Sequence, residues 1–157
     1  MTNYPTCFKL SSGVGNAPFP LNAFDRALIK AGISNYNLIR VSSILPKNVS
    51  YKDHIDLEEG SCLPTAYATI RSNGPGETLC TAVAVGIPQD PNHIGVIMEY
   101  AAKNQTSAEA EKIIQEMVQT AMNDHGIPYS DIKISSTEAT VPDNGMYTAL
   151  ISALCFW

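Results

Sequence analysis

The chain has 157 residues and a formal net charge of −5, and 45% of its residues are hydrophobic while 16% are charged. This length fits one domain of common size, and the composition argues against intrinsic disorder. No run of Lys or Arg supplies a basic footprint, so a nucleic-acid partner is not expected. No apolar stretch reaches the roughly 20 residues of a transmembrane helix. Residues 1–5 lack the features of a signal peptide, so we expect a cytoplasmic protein without a membrane partner.

The first predicted helix follows Asn22, a residue that favours the N-cap position. The pattern predicts a helix over residues 23–31, and Gly32 is a suitable residue to end it. Its apolar residues recur at helical spacing and should form the face that packs on the core. These residues are Phe24, Ala27, Leu28 and Ala31.

The second predicted helix begins with a capping box, in which Thr106 and Glu109 each bond the backbone N–H of the other. A continuous apolar stripe predicts that one face of this helix packs against the core. Gly126 and Pro128 should end the helix. The stripe consists of Ala110, Ile113, Ile114, Met117, Val118, Ala121 and Met122.

Most of the remaining apolar segments predict β-strands separated by turns rich in Gly, Pro and Asn. Residues 78–87 and 146–156 are apolar almost throughout, which is typical of strands covered on both faces. Residues 143–145 should form the turn of a hairpin between the last two strands. Two packed sheets covered outside by the two helices would explain this pattern, which makes the fold an α+β layered sandwich. The predicted strands are residues 7–10, 37–45, 64–71, 78–87, 94–101, 131–140 and 146–156.

The cysteines and histidines are scattered, without the closely spaced pairs typical of zinc or redox sites. We therefore expect no metal site, and interpret the cysteines as buried apolar residues or as thiols on edge strands. A Cys–His or Ser–His–Asp catalytic system stays open, although no G-x-S-x-G motif supports one. The residues concerned are Cys7, Cys62, Cys80, Cys155, His54, His93 and His125.

Two adjacent serines, Ser42 and Ser43, interrupt an apolar segment whose pattern predicts a buried strand ending in a turn at Pro46. Buried hydroxyl groups need hydrogen-bond partners, so a serine pair is unusual there. Serines also occur in ordinary strands, and the pair alone does not indicate catalysis.

Segments spread along the chain closely resemble the pyruvoyl-dependent arginine decarboxylase family. The longest, NLIRVSSILP at residues 37–46, contains the serine pair. Each segment is short, but together they cover nearly the whole chain in the family's order. The others are LNAFD at 21–25, AGI at 31–33, LPTAY at 63–67, PGET at 75–78, GVIMEY at 95–100 and AEAEK at 108–112.

The resemblance implies a fold and an assembly. The fold would be a four-layer αββα sandwich with two packed, mainly antiparallel sheets. Residues 1–157 would form a single domain that cuts itself into a β chain, 1–42, and an α chain, 43–157. Cleaved protomers would form a homotrimer with active sites between subunits, and a higher assembly of trimers stays open. The low share of charged residues agrees with burial between subunits.

The resemblance also implies the reaction, the conversion of L-arginine to agmatine and CO₂. The Ser43 hydroxyl would attack the carbonyl carbon of Ser42, and β-elimination would leave dehydroalanine at position 43. Hydrolysis with loss of ammonia would turn this residue into a covalently bound pyruvoyl group. The substrate amine would then form a Schiff base with this group, which accepts the electrons left as CO₂ departs. Neither PLP nor a metal would be needed.

The remaining roles follow from the same resemblance. Glu99 would reprotonate the α-carbon, and partial burial at a strand end would favour the protonated carboxyl of a proton donor. Asp25 would receive the substrate guanidinium, and Asn37, Leu28 and Ile44 would complete the substrate site. Each polar residue also has a structural alternative: Glu99 as a surface residue, Asp25 as a partner of the helix dipole, and Asn37 as an amide that holds a turn.

One departure from the family leaves the substrate open. Tyr36 stands where a smaller aliphatic residue is expected near the substrate. A pyruvoyl-dependent decarboxylase of another amino acid, such as histidine, is therefore an alternative. A second alternative, from a different functional class, is a non-catalytic oligomeric protein that kept the fold and lost the self-cleavage.

Overall fold

The computed structural model describes residues 4–157, and residues 1–3 of the N-terminal segment considered above lie outside the described part. The described chain forms two β-sheets and two helices. Its elements are β1 (Cys7–Ala17), α1 (Pro20–Ala31), β2 (Asn37–Arg40), β3 (Ile44–Leu45), β4 (Ser50–Tyr51), β5 (Cys62–Ser72), β6 (Thr78–Pro88), β7 (Gly95–Lys103), α2 (Ser107–Asp124), β8 (Tyr129–Thr140) and β9 (Tyr147–Phe156).

The two sheets pack face to face. The strand order is β2-β5-β9-β1-β4 in the five-stranded sheet and β3-β7-β6-β8 in the four-stranded sheet. Pairing is antiparallel except between β1 and β4 and between β2 and β5. α1 covers the outer face of the five-stranded sheet, and α2 covers the outer face of the four-stranded sheet. The predicted αββα sandwich is thus confirmed. Neither helix of residues 4–157 is long and apolar enough to cross a membrane.

Helix α1 begins earlier than predicted. Its first turn starts at Pro20, and the N-cap residue is Phe19 rather than Asn22. The fixed φ of proline suits the first helical position, where its missing N–H costs no hydrogen bond. Gly32 ends the helix as predicted, in the left-handed conformation with φ of 74°. The predicted apolar face packs against the five-stranded sheet.

Helix α2 confirms the capping box. The Glu109 N–H donates to Thr106 Oγ1 over 3.2 Å, and the Thr106 N–H donates to Glu109 Oε2 over 2.8 Å. The apolar stripe packs on the four-stranded sheet. The most buried residues of the stripe are Ala110, Ile114, Val118, Ala121 and Met122.

The hairpin predicted between the last two strands is wrong. β8 is an edge strand of the four-stranded sheet, whereas β9 lies at the centre of the five-stranded sheet between β5 and β1. The chain crosses between sheets after Val141, which is buried between them with Leu79 and Leu150. β9 is buried almost throughout because α1 covers one of its faces and the other sheet covers the opposite face. Coverage on both faces was predicted correctly for β6 and β9.

The cysteines divide into two classes. Cys80 and Cys155 are buried, and burial raises the pKa of both thiols, to about 12 for Cys155. Cys7 is half-buried and Cys62 is exposed. Both lie on interior strands of the five-stranded sheet, so their interpretation as edge-strand thiols is wrong.

Helix α1 lies directly on the backbone of β1, because two glycines of the strand face it. A Cβ atom at Gly15 would overlap the carbonyl oxygen of Ala23 and the amide nitrogen of Ala27. It would also lie 2.7 Å from Arg26 Cβ. Gly13 meets α1 in the same way one turn further along. Since the overlapping atoms are backbone, no side-chain rotation can relieve the contact.

We expect Gly15→Ala to lower the free energy of unfolding by about 1–3 kcal/mol, because α1 must move away from β1 to admit one methyl group. Thermal denaturation should show a melting temperature lower by roughly 2–12 °C. Gly74→Ala is the control, because its new Cβ would meet only the Glu77 carboxylate, 2.8 Å away, at the end of a flexible side chain. Equal melting temperatures for the two variants would contradict this account of the helix–strand contact.

Candidate active site

The serine pair lies where the chain crosses from one sheet to the other. β2 ends at Arg40 beside β5 of the five-stranded sheet, and β3 begins at Ile44 beside β7 of the four-stranded sheet. Residues 41–43 span the gap between them. The single buried strand predicted over residues 37–45 is therefore wrong, because the first strand ends at Arg40 and a separate strand begins at Ile44. Ser42 is exposed and Ser43 is half-buried.

Each side of the Ser42–Ser43 peptide bond is attached to a different sheet. On the N-terminal side, the Val41 N–H donates to the Thr65 carbonyl over 3.2 Å. On the C-terminal side, the Ser43 carbonyl accepts from the Ile97 N–H over 2.7 Å. Neither hydrogen bond involves an atom of the Ser42–Ser43 bond. This bond could therefore break without disturbing either attachment.

Glu99 lies two residues beyond Ile97 on β7, so both side chains point to the same face of the strand. Ile97 is buried between the two sheets, and the Glu99 side chain is 24% exposed at the margin of the same space. Glu99 Oε2 accepts a hydrogen bond from Arg40 Nη2 over 3.0 Å. The structure thus brings Ser43 and the predicted proton donor to neighbouring positions along β7.

Arg40 is the functional candidate that sequence reasoning missed. Besides contacting Glu99, its Nη2 donates to the Tyr67 carbonyl over 2.8 Å, and its guanidinium lies 4.5 Å from the centroid of the Tyr67 ring. Tyr67 in turn contacts Phe24 of α1 at 6.5 Å between ring centroids. The sequence feature that could have identified Arg40 is its positive charge within the apolar segment that contains the serine pair.

The residues predicted to bind substrate lie apart in the described chain. Ile44 adjoins Ser43 and is 38% exposed. Asn37 lies at the opposite end of β2, where its Nδ2 donates to the Gly60 carbonyl over 2.7 Å, a contact that agrees with the structural alternative. Asp25 and Leu28 belong to α1, with Asp25 exposed and Leu28 packed against the sheet.

Asp25 also differs from its expected position along the helix. Because α1 begins at Pro20, Asp25 lies in the second turn rather than the first. The interaction with the helix dipole falls off beyond the first turn, which weakens the structural alternative for this residue. Within the described residues, no hydrogen bond or ion pair joins Asp25 to Ser43. The same part of the chain contains no group of three or more His, Cys, Asp or Glu placed to hold a metal ion.

Known proteins and a protein-family model match this chain over most of its length. The family model for pyruvoyl-dependent arginine decarboxylase matches residues 7–157. The chain is 41% identical to the pyruvoyl-dependent arginine decarboxylase of Methanocaldococcus jannaschii over 141 residues, covering 90% of this chain and 85% of the relative. It is 39% identical to the protein of that name from Methanococcus aeolicus over 148 residues, covering 94% and 89%. For the Thermococcus kodakarensis protein of the same name, identity is 40% over 124 residues, with 78% of each chain covered.

Proposed function

Because the chain belongs to the pyruvoyl-dependent arginine decarboxylase family, whose members are decarboxylating lyases, we propose that it cuts itself between Ser42 and Ser43 and then converts L-arginine to agmatine and CO₂. The observation that carries this proposal is the position of the Ser42–Ser43 bond, which spans two sheets and is attached on both sides.

The proposed cut uses only atoms of the two serines and water. The Ser43 Oγ attacks the Ser42 carbonyl carbon, the Ser42–Ser43 C–N bond breaks, and an ester to Ser43 Oγ forms. Removal of the Ser43 α-proton then expels the Ser42 carboxylate and leaves dehydroalanine at position 43. Water replaces the nitrogen of this residue, ammonia departs, and a ketone remains at the start of the fragment 43–157.

The fold suits a group formed in place from Ser43. Fragment 1–42 contains β1, which lies between β9 and β4, so it stays held by strand pairing. The hydrogen bond from the Ile97 N–H to the Ser43 carbonyl keeps the new end of the other fragment beside β7. The pyruvoyl ketone supplies an electrophile that binds the substrate amine and accepts the electrons released with CO₂.

Residues beside Ser43 would complete the reaction. Glu99 is the proposed donor of the proton that replaces CO₂ on the α-carbon, since it lies two residues from Ile97 on the same face of β7. Ile44 offers apolar surface next to the reacting position. Asn37 is proposed to contribute through its attachment of β2 to the Gly60 carbonyl.

A neighbouring subunit is proposed to complete the site. Large apolar side chains at the start of α1 and on both sides of the cut are exposed in one protomer, and such surface is commonly covered by a partner. Asp25, which is exposed on α1, would reach the substrate guanidinium in the adjacent subunit of a trimer. The exposed apolar residues concerned are Phe19, Leu21, Ile39 and Ile44.

The mass of the purified protein under denaturing conditions tests the cut. We expect fragments of 42 and 115 residues and a carbonyl on the larger one that borohydride reduces. Arginine labelled at its carboxyl carbon should release labelled CO₂, whereas histidine labelled in the same way should not. A single 16.9 kDa chain without a carbonyl would support the non-catalytic alternative. Preference for histidine would contradict the proposed substrate.

We expect Asp25→Asn to raise KM for arginine about 10- to 100-fold with a smaller change in kcat, because a hydrogen bond to a charged group contributes about 1.5–3 kcal/mol. Steady-state kinetics with arginine measure this effect. Asp143→Asn, which removes an exposed carboxylate from the connection between β8 and β9, is the control. If both variants keep the parent KM, Asp25 does not bind the guanidinium.

A further inference from the structure

Arg40 makes three contacts through one guanidinium group. Its Nη2 donates to the Tyr67 carbonyl over 2.8 Å and to Glu99 Oε2 over 3.0 Å, and the guanidinium carbon lies 4.5 Å from the Tyr67 ring centroid. Stacking on an aromatic face adds a cation–π attraction. Together these contacts restrict a long side chain that would otherwise adopt many rotamers.

All three contacts cross the proposed cut. Arg40 belongs to fragment 1–42 and lies two residues before its new end, whereas Tyr67 and Glu99 belong to fragment 43–157. Among residues 4–157, Arg40 is the only side chain that forms a hydrogen bond or ion pair with Glu99. The orientation of the Glu99 carboxyl therefore depends on a residue of the other fragment.

The ion pair contributes little to folding. The Arg40 side chain is 57% exposed and that of Glu99 is 24% exposed. Ion pairs near the surface usually add little to the free energy of unfolding, because water screens the attraction. The stronger consequence is geometric, because a proton donor must be held within hydrogen-bond reach of the atom that it protonates.

We propose that Arg40 is a positioning residue for Glu99: anchored on Tyr67, its guanidinium holds the Glu99 carboxyl beside the reacting position, from across the cut. This inference rests on the proposed role of Glu99 as proton donor. As a positioning residue, Arg40 would contact neither the Ser42–Ser43 bond nor the substrate.

Replacement of Arg40 by glutamine and by lysine tests the positioning role. We expect Arg40→Gln to cut itself completely, to lose about tenfold or more in kcat, and to change KM by less than about threefold. Arg40→Lys keeps a positively charged donor at this position and should restore part of the kcat. Lys112→Gln, which removes one charge from the exposed face of α2, should behave like the parent.

A double variant tests whether Arg40 acts through Glu99. In a Glu99→Gln background, Arg40→Gln should lower kcat no further, because the group that it positions is already gone. Equal fold losses in the two backgrounds would overturn the inference, as would an unchanged kcat in the single Arg40→Gln variant. An Arg40→Gln chain that stays whole would overturn it too, since Arg40 would then act in self-cleavage. If the parent chain itself does not cut or decarboxylate arginine, the proposed function fails instead.

Discussion

Ser43→Ala is expected to yield one uncut chain near 16.9 kDa that releases no CO₂ from arginine. Alanine has no β-oxygen to attack the Ser42 carbonyl or to leave in the elimination, so the ketone cannot form. Ser43 is half-buried and its carbonyl would still accept the Ile97 N–H, so the fold should be retained. Intact mass, borohydride reduction and a decarboxylation assay on the same preparation measure the three consequences.

Ser42→Ala is the matched control for this prediction. The Ser42 hydroxyl is neither the nucleophile nor the leaving group in the proposed cut, since only its carbonyl carbon is attacked. This variant should therefore still produce two fragments, although its rate of cleavage can change. If Ser43→Ala decarboxylates arginine, or if Ser42→Ala stays whole while Ser43→Ala is cut, the proposed assignment of the two serines is reversed or wrong.

Glu99→Gln should leave self-cleavage intact and lower kcat by about 10²–10⁴-fold, the range that a positioned general acid contributes. Glutamine keeps the size of the side chain but cannot deliver a proton. The fragments are measured by mass, and kcat is measured with arginine at saturation. Because the carboxyl is proposed to act after the substrate has bound, KM should change much less than kcat.

Solvent isotope labelling provides a second measurement for Glu99. In D₂O the parent enzyme should place one deuteron on a single face of the agmatine carbon, because the donor is fixed, whereas Glu99→Gln should give both configurations. Glu77→Gln is the control, since Glu77 is also an ion-paired glutamate, 3.3 Å from the Lys103 Nζ. A Glu99→Gln enzyme with parent kcat and a single product configuration would exclude Glu99 as the donor.

Local signals in the sequence predicted several elements correctly. The Thr106–Glu109 capping box is confirmed because both of its hydrogen bonds form within four residues. The apolar character of β6 and β9 predicted coverage on both faces, since burial of a strand is visible in its own composition. The N-cap prediction failed at Asn22 because Pro20 already suits the first helical position.

Pairing between distant segments was not predictable in this way. The turn residues at 143–145 are the same whether the next strand pairs with β8 in a hairpin or enters the other sheet. The sheet that β9 joins depends on its pairing with β1 and β5, which lie far from it in the sequence. Arg40 was missed for the same reason, because its ionic partner lies 59 residues away in the chain.

By itself, the sequence determined the family, through short segments spread along the chain, and the α+β character, through apolar periodicity and capping residues. Only the tertiary structure decided how the Ser42–Ser43 bond is held. The residues around it favour one continuous strand, whereas pairing of β2 with β5 and of β3 with β7 divides them between two sheets. Hydrogen bonds to separate and distant strands therefore place this bond across the gap, with each of its flanks attached to a different sheet.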